Sequence, residues 1–297
     1  MKINNLISAE IIADSITEKG NRITTFVLVF PRIVLAEFNT HRAVSKNSAS
    51  SRAIPFKKML QKVMKTPFIP IKWMKDHSGM QGNEYFSGWK LFLLKQLWLT
   101  ARNLSVLLAL ILSKLGLTKQ IVNRLLEPFM YHTVICTGTD FENFFALRAH
   151  DAAEIHIADL AYKMLEVYNE NTPKLLNEGE WHIPFGDQFD EERLRNVAEG
   201  LISMEAPNEK ELQRMKVCVA TARCARVSYL NFEGQDDYLT DVKLHDRLFS
   251  MGHFSPFEHC AIASSTDSYS GNFKGFTQYR KILAGENKTD PRVIKKC

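Results

Sequence analysis

The stretch HRAVSKNSASSR, His41 to Arg52, decides how this chain is read. Its twelve residues carry one His, two Arg, one Lys, one Asn and four Ser, with only Ala and Val for bulk. Just upstream, ITTFVLVF (Ile23 to Phe30) has the apolar run of a buried strand. A chain that leaves its core and at once displays hydroxyls and guanidinium forks offers the groups that bind phosphate and ribose oxygens. A solvated surface loop is the alternative. Arg42 and Arg52 are ten residues apart and reach different phosphates if the loop folds back.

Outward from this loop, residues 6–30 read as two strands joined at Lys19-Gly20-Asn21. Pro31 ends the second strand, and 32–39 suits a short helix. Residues 54–85, with Pro55, Pro67 and Pro70, read as an irregular connection. Helical patterns follow over 87–114 and 118–127, divided by Gly116 and stopped by Pro128. Asp140 suits the N-cap of one long helix from Phe141 to about Asn171. Residues 178–190 read as a loop, 190–203 and 208–226 as helices, and 227–230 as a short strand. A helix over 241–251 is stopped by Gly252, and 260–280 suits a strand pair.

With 297 residues and 45% hydrophobic content, the chain can bury a sizeable core. The formal charge of +5 suits a phosphate-bearing ligand as well as nucleic acid and excludes neither. The five cysteines (136, 218, 224, 260, 297) form no CxxC and no metal spacing, so a reduced, cytoplasmic setting without disulfides is expected. Glu10, Asp14 and Glu18 interrupt any signal-peptide core. The most apolar segment, LSVLLALIL (Leu104 to Leu112), is too short to span a bilayer and is expected as a buried helix, although Phe86 to Leu117 is both greasy and basic.

No GxSxG, GxxxxGK[ST] or GxGxxG motif is present. GHFSPFEH, Gly252 to His259, places two His and one Glu close together, but Pro256 breaks a helical ligand display and no metal is expected. FENFFALRAHDAAEIHIADLA, Phe141 to Ala161, sets Arg148 on an apolar face, either ion-paired with Asp151 or awaiting an anionic ligand.

Together these segments resemble the flavin-dependent thymidylate synthases. Thr40 to Ala53 matches much of the RHRxxSxNExSxRY signature. KQIVNRLLEP supplies Arg124 ahead of Pro128, NFFALRAHDAAEIHI matches the hFhxLRxxxxAQxEI pattern (h apolar), and ARVSY (Ala225 to Tyr229) precedes GHFSPFEH. The blocks lie in permuted order, as in similar proteins of tailed bacteriophages. The resemblance implies one α+β domain over 1–297, a twisted, largely antiparallel sheet packed with helices, here with a helical insertion at about 55–115. It implies a homotetramer that binds FAD and converts dUMP to dTMP with methylenetetrahydrofolate and NADPH, with no nucleic-acid or membrane partner. By resemblance, Ser50, Arg52 and Arg148 are catalytic. Glu37, Ser48, Ser50, Arg52, Arg124 and Arg148 hold the nucleotide. His41, Arg42, Asn143, Ser228, His253, Ser255, Glu258 and His259 face FAD.

Thr40, Glu37, Ser48, Ala53, Glu154 and His156 depart from the family pattern. Glu37 and Ser48 fall where the family touches the base, and an ionised Glu only accepts hydrogen bonds. Cytosine as the base, hydroxymethyl as the product, and an inert nucleotide-binding relative therefore stand as alternatives.

Overall fold

The computed structural model describes residues 6–78, 82–202, 207–227 and 237–286. Its centre is the expected hairpin. Strands β1 (Ser8–Thr17) and β2 (Arg22–Pro31) pair antiparallel around Gly20, whose φ of +83° is left-handed. β3 (Ser45–Ser48), β4 (Tyr131–Gly138) and β5 (Lys174–Leu176) complete a five-stranded sheet in the order β3-β4-β2-β1-β5. Every pairing is antiparallel except β1 with β5, so the fold is α+β with a largely antiparallel sheet. β4, between β3 and β2, is an interior strand that the sequence patterns do not predict. β3 turns part of the polar loop into an edge strand.

The sheet is covered on both faces. β2 sends Phe26, Leu28 and Phe30 to one side and Val27 to the other, as strand alternation requires. On the first side pack α1 (Leu35–Asn39), α5 (Glu142–Arg148) and α6 (Ile155–Glu170), through Phe38, Phe144, Ile157 and Leu160. On the second side pack α7 (Glu191–Ile202), α8 (Glu209–Arg226) and α9 (Tyr238–Ser250). α8 starts on a capping box, in which Asn208 and Glu211 satisfy each other's backbone N–H groups. A second sheet, in the order β10 (Phe276–Gln278), β7 (Ala261–Ala263), β6 (Trp181–His182), and the hairpin of β8 (Tyr269–Ser270) with β9 (Phe273–Lys274) lie near the C-terminal part. α10 (Tyr279–Ile282) follows β10.

The expected helix from Phe141 to Asn171 is two helices. The Glu154 carboxylate accepts from the N–H groups of His156 and Ile157, and so starts α6 afresh. Glu154→Ala is expected to cost about 1 kcal/mol, measured as a lowered urea midpoint; an unchanged midpoint would remove Glu154 as the cap.

Residues 54–85 are not wholly irregular, because α2 (Phe56–Lys65) forms there and buries Met59 and Val63. The two helical patterns after it appear as α3 (Gly88–Lys114) and the short α4 (Lys119–Val122). Pro128 does not stop a helix but sits inside a 3-10 stretch, Asn123–Phe129. Within Leu104 to Leu112, expected as buried, only Val106 and Ala109 are buried on α3, while Leu104, Leu107, Leu108 and Ile111 are 45–57% exposed. The apolar residues surround α3, and only one side of it packs onto the cluster that includes Met59, Leu126 and Phe129. The short strand expected at 227–230 lies outside the described residues, apart from Val227, which caps α8.

Candidate active site

The polar loop and the GHFSPFEH segment meet. Lys46, Ser48, Ser50 and Arg52 line an open cleft of about 750 Å3 together with His253 and Ser255. Lys119 and Gln120 also line it, and Ala225, Leu248 and Pro256 supply apolar wall. Among the described residues, none that lines the cleft is acidic. Three cations and several hydroxyls therefore face one space with no carboxylate between them, which favours an anionic ligand.

The turn that carries Ser50 and Arg52 is held from behind. Asn123, fully buried, donates to the carbonyls of Ser51 (2.8 Å) and Ile54 (2.9 Å). The Ser51 hydroxyl donates to Glu127, and Lys119 donates to the Ala53 carbonyl at 3.1 Å. With Ser51 and Ala53 pinned, the exposed Arg52 side chain is left to the cleft. The opposite wall is set by Gly252, whose φ of +72° ends α9, and by the 3-10 turn Ser255–Glu258 anchored on buried Phe254 and Phe257. Gln278 bridges the walls, donating to Ser45 Oγ (3.3 Å) and to the Glu258 carbonyl (3.5 Å).

His41 and Arg148 form a second cluster beside the cleft. Arg148 Nε donates to His41 Nε2 at 2.9 Å, and no ion pair joins Arg148 to Asp151. The His41 ring stands edge-on to Phe144 at 4.9 Å. Burial, then Arg148 and Lys46, hold the His41 imidazole below its ordinary range, so it is neutral with its proton on Nδ1. Lys46 ties this cluster to the cleft: its ammonium donates to the His41 carbonyl, and burial lowers its pKa.

The remaining expected residues lie elsewhere in this chain. Arg42, Arg124 and Asn143 are exposed and outside the cleft lining. Glu37 is half-buried on α1, and its Oε2 has no hydrogen-bond partner among the described residues. Glu258 pairs with Arg280 at 2.6 Å. His259 is fully buried, with Nδ1 2.8 Å from Thr137 Oγ1. Ser228 lies outside the described residues. Lys46, Lys119, Gln120 and the clamp Asn123 were not singled out from sequence. Lys46 sits inside the polar loop and was visible there, whereas Lys119 and Asn123 reach the site only by packing.

No family model and no curated relative matches the chain. Among solved structures it is similar to a UMP/dUMP methylase, PolB from Streptomyces cacaoi, crystallised with 5-Br UMP. That similarity has 14% identity, a TM-score of 0.43, and covers 57% of this chain and 92% of that one.

Proposed function

We propose that this chain is a flavin-dependent enzyme acting at carbon 5 of a pyrimidine nucleoside monophosphate, with conversion of dUMP to dTMP as its reaction. The observation that carries this reading is the convergence of residues 46–53 and 253–256 on one cationic, hydroxyl-rich cleft. These are two of the segments on which the resemblance to flavin-dependent thymidylate synthases rests. Arg52 and Lys119 are the partners of the phosphate dianion, and Ser48 and Ser50 offer hydroxyls to it or to the sugar. The cleft volume falls within the roughly 300–1,000 Å3 of small-molecule sites.

The donors also suit FAD, with His253 and Ser255 in the cleft and Arg42 exposed on the polar loop. Bound FAD would supply the redox chemistry, with NADPH and methylenetetrahydrofolate as co-substrates. The chain's own part is to hold and orient. Burial, helped by Arg148 and Lys46, keeps His41 neutral; Arg148 donates to Nε2, so Nδ1–H is available as a donor, and Lys46 holds the His41 backbone against the cleft. Cys136, Cys218 and Cys260 are buried and their thiols are pushed up to about 12, while burial also raises Cys224. None of these four lines the cleft, which suits a route without a protein thiolate. In the homotetramer proposed here, Arg124 and Asn143 are the exposed side chains that one chain offers to its neighbour's site.

A second reading, with cytosine as the base, is favoured by Glu37. Its buried Oε2, without a partner among the described residues, accepts hydrogen bonds, and the cytosine amino group donates one where uracil has a carbonyl.

The test offers dUMP and dCMP side by side with methylenetetrahydrofolate and NADPH, and follows the base by mass. Yellow protein that converts dUMP is expected. Conversion of dCMP alone would shift the assignment to the second reading. Colourless protein that FAD cannot reconstitute would leave only an inert nucleotide-binding relative.

A further inference from the structure

The exposed side of α3 has the chemistry of a membrane-surface helix. The helix has 27 residues, a length of about 40 Å at 1.5 Å per residue. Trp89, Leu93, Leu97, Leu104, Leu108 and Ile111 recur at helical spacing along one face and are 45–71% exposed. The opposite face is anchored. Val106 and Ala109 are buried, Arg102 donates to the carbonyls of Val63 and Met64, and Trp98 Nε1 donates to the Phe68 carbonyl at 2.8 Å. By length and composition α3 could cross a bilayer, but these contacts hold it flat against the body of the protein.

Charge identifies what covers the face. Residues 57–119 hold eleven Lys or Arg against two Asp or Glu, a formal +9, so the rest of the chain carries −4 of the total +5. No acidic residue occurs between Glu84 and Glu127. Lys90 and Lys114 are exposed and flank the apolar stripe on its two edges, and Lys57, Lys58, Lys62 and Lys65 are exposed on neighbouring α2. A second copy seated on this face would bring two such basic segments together. A nucleic acid would match the charge but leave the apolar stripe in water. Anionic lipid headgroups over acyl chains satisfy both.

We propose that α3 docks this protein in-plane on an anionic membrane surface, through its apolar stripe and the lysines at its edges. This inference is independent of the nucleotide assignment. The test is flotation of the full chain with phosphatidylcholine vesicles, with and without roughly 30% phosphatidylserine. Flotation is expected only with phosphatidylserine and is reduced by high salt. Leu104→Ser with Leu108→Ser, and separately Lys90→Glu with Lys114→Glu, should each weaken binding at least about tenfold. All four side chains are exposed, so circular dichroism and the thermal midpoint should stay those of the parent chain. Absence of flotation overturns the proposal, as does flotation that neither variant reduces. A solution dimer abolished by the Leu→Ser pair without lipid binding would overturn it in favour of a second copy. Binding to DNA or RNA in place of vesicles would also overturn it.

Discussion

Stability will fall steeply as pH drops from about 6.5 to about 4, because three buried histidines are held neutral in the folded chain. Burial lowers His132 and His259 to about 3 and His182 to about 4. The unfolded chain binds protons at these rings once pH passes below about 6.5, and the folded chain does not until pH reaches their lowered values. Protonation therefore favours unfolding across that window, and the loss stops only below the folded values. Each ring removes at most about 1.4 kcal/mol per pH unit, and the three together at most about 4 kcal/mol per pH unit.

For His182 and His259, hydrogen bonding adds to burial. A chain of hydrogen bonds runs from Ser15 through His182 (2.9 Å), Thr25 (2.8 Å) and Thr137 (2.8 Å) to His259 (2.8 Å). With both rings neutral, every donor in this chain can point one way. With both charged, each ring must donate inward, and one threonine hydroxyl proton is left without an acceptor in the chain. Urea unfolding at pH 7.5, 6 and 5 measures this. A midpoint that stays level from pH 7.5 to 5 would contradict the neutral, buried assignment.

Arg52→Ala is expected to weaken binding of dUMP, or of dCMP, by about 10–150-fold, the loss of one charge-assisted contact worth about 1.5–3 kcal/mol. Arg52 is exposed and its backbone turn is held by Asn123, Glu127 and Lys119, so the thermal midpoint should hardly move. That separates a binding defect from a folding defect. Titration calorimetry on parent and variant decides it. Equal affinity in the two would place the phosphate elsewhere and remove the cleft as the nucleotide site.

The elements legible in the sequence were those with local signals. The β1–β2 hairpin was visible from its apolar runs and its Lys-Gly-Asn turn, and the end of α9 from Gly252. β4 was missed, because a central strand buried on both faces has no alternation to separate it from its surroundings. The break between α5 and α6 was missed for a different reason. The apolar spacing continues through it, while the Glu154 cap works through hydrogen bonds that spacing does not report. At the site, His41 to Arg52 and Gly252 to His259 both stood out by composition. Which of their side chains share one space did not.

By itself, the sequence determined which segments are apolar, where the turns fall and where cations and hydroxyls are concentrated. Those properties belong to neighbours along the chain. Only the tertiary structure decided that Arg52 and Ser50 face His253 and Ser255, that His259 turns inward to Thr137, and that α3 shows one apolar side to the outside. These outcomes depend on β4 pairing with both β2 and β3, and on a body of protein that covers α3 on one side only. Contacts between residues a hundred or more positions apart are set by packing the whole chain, and local pattern carries no record of them.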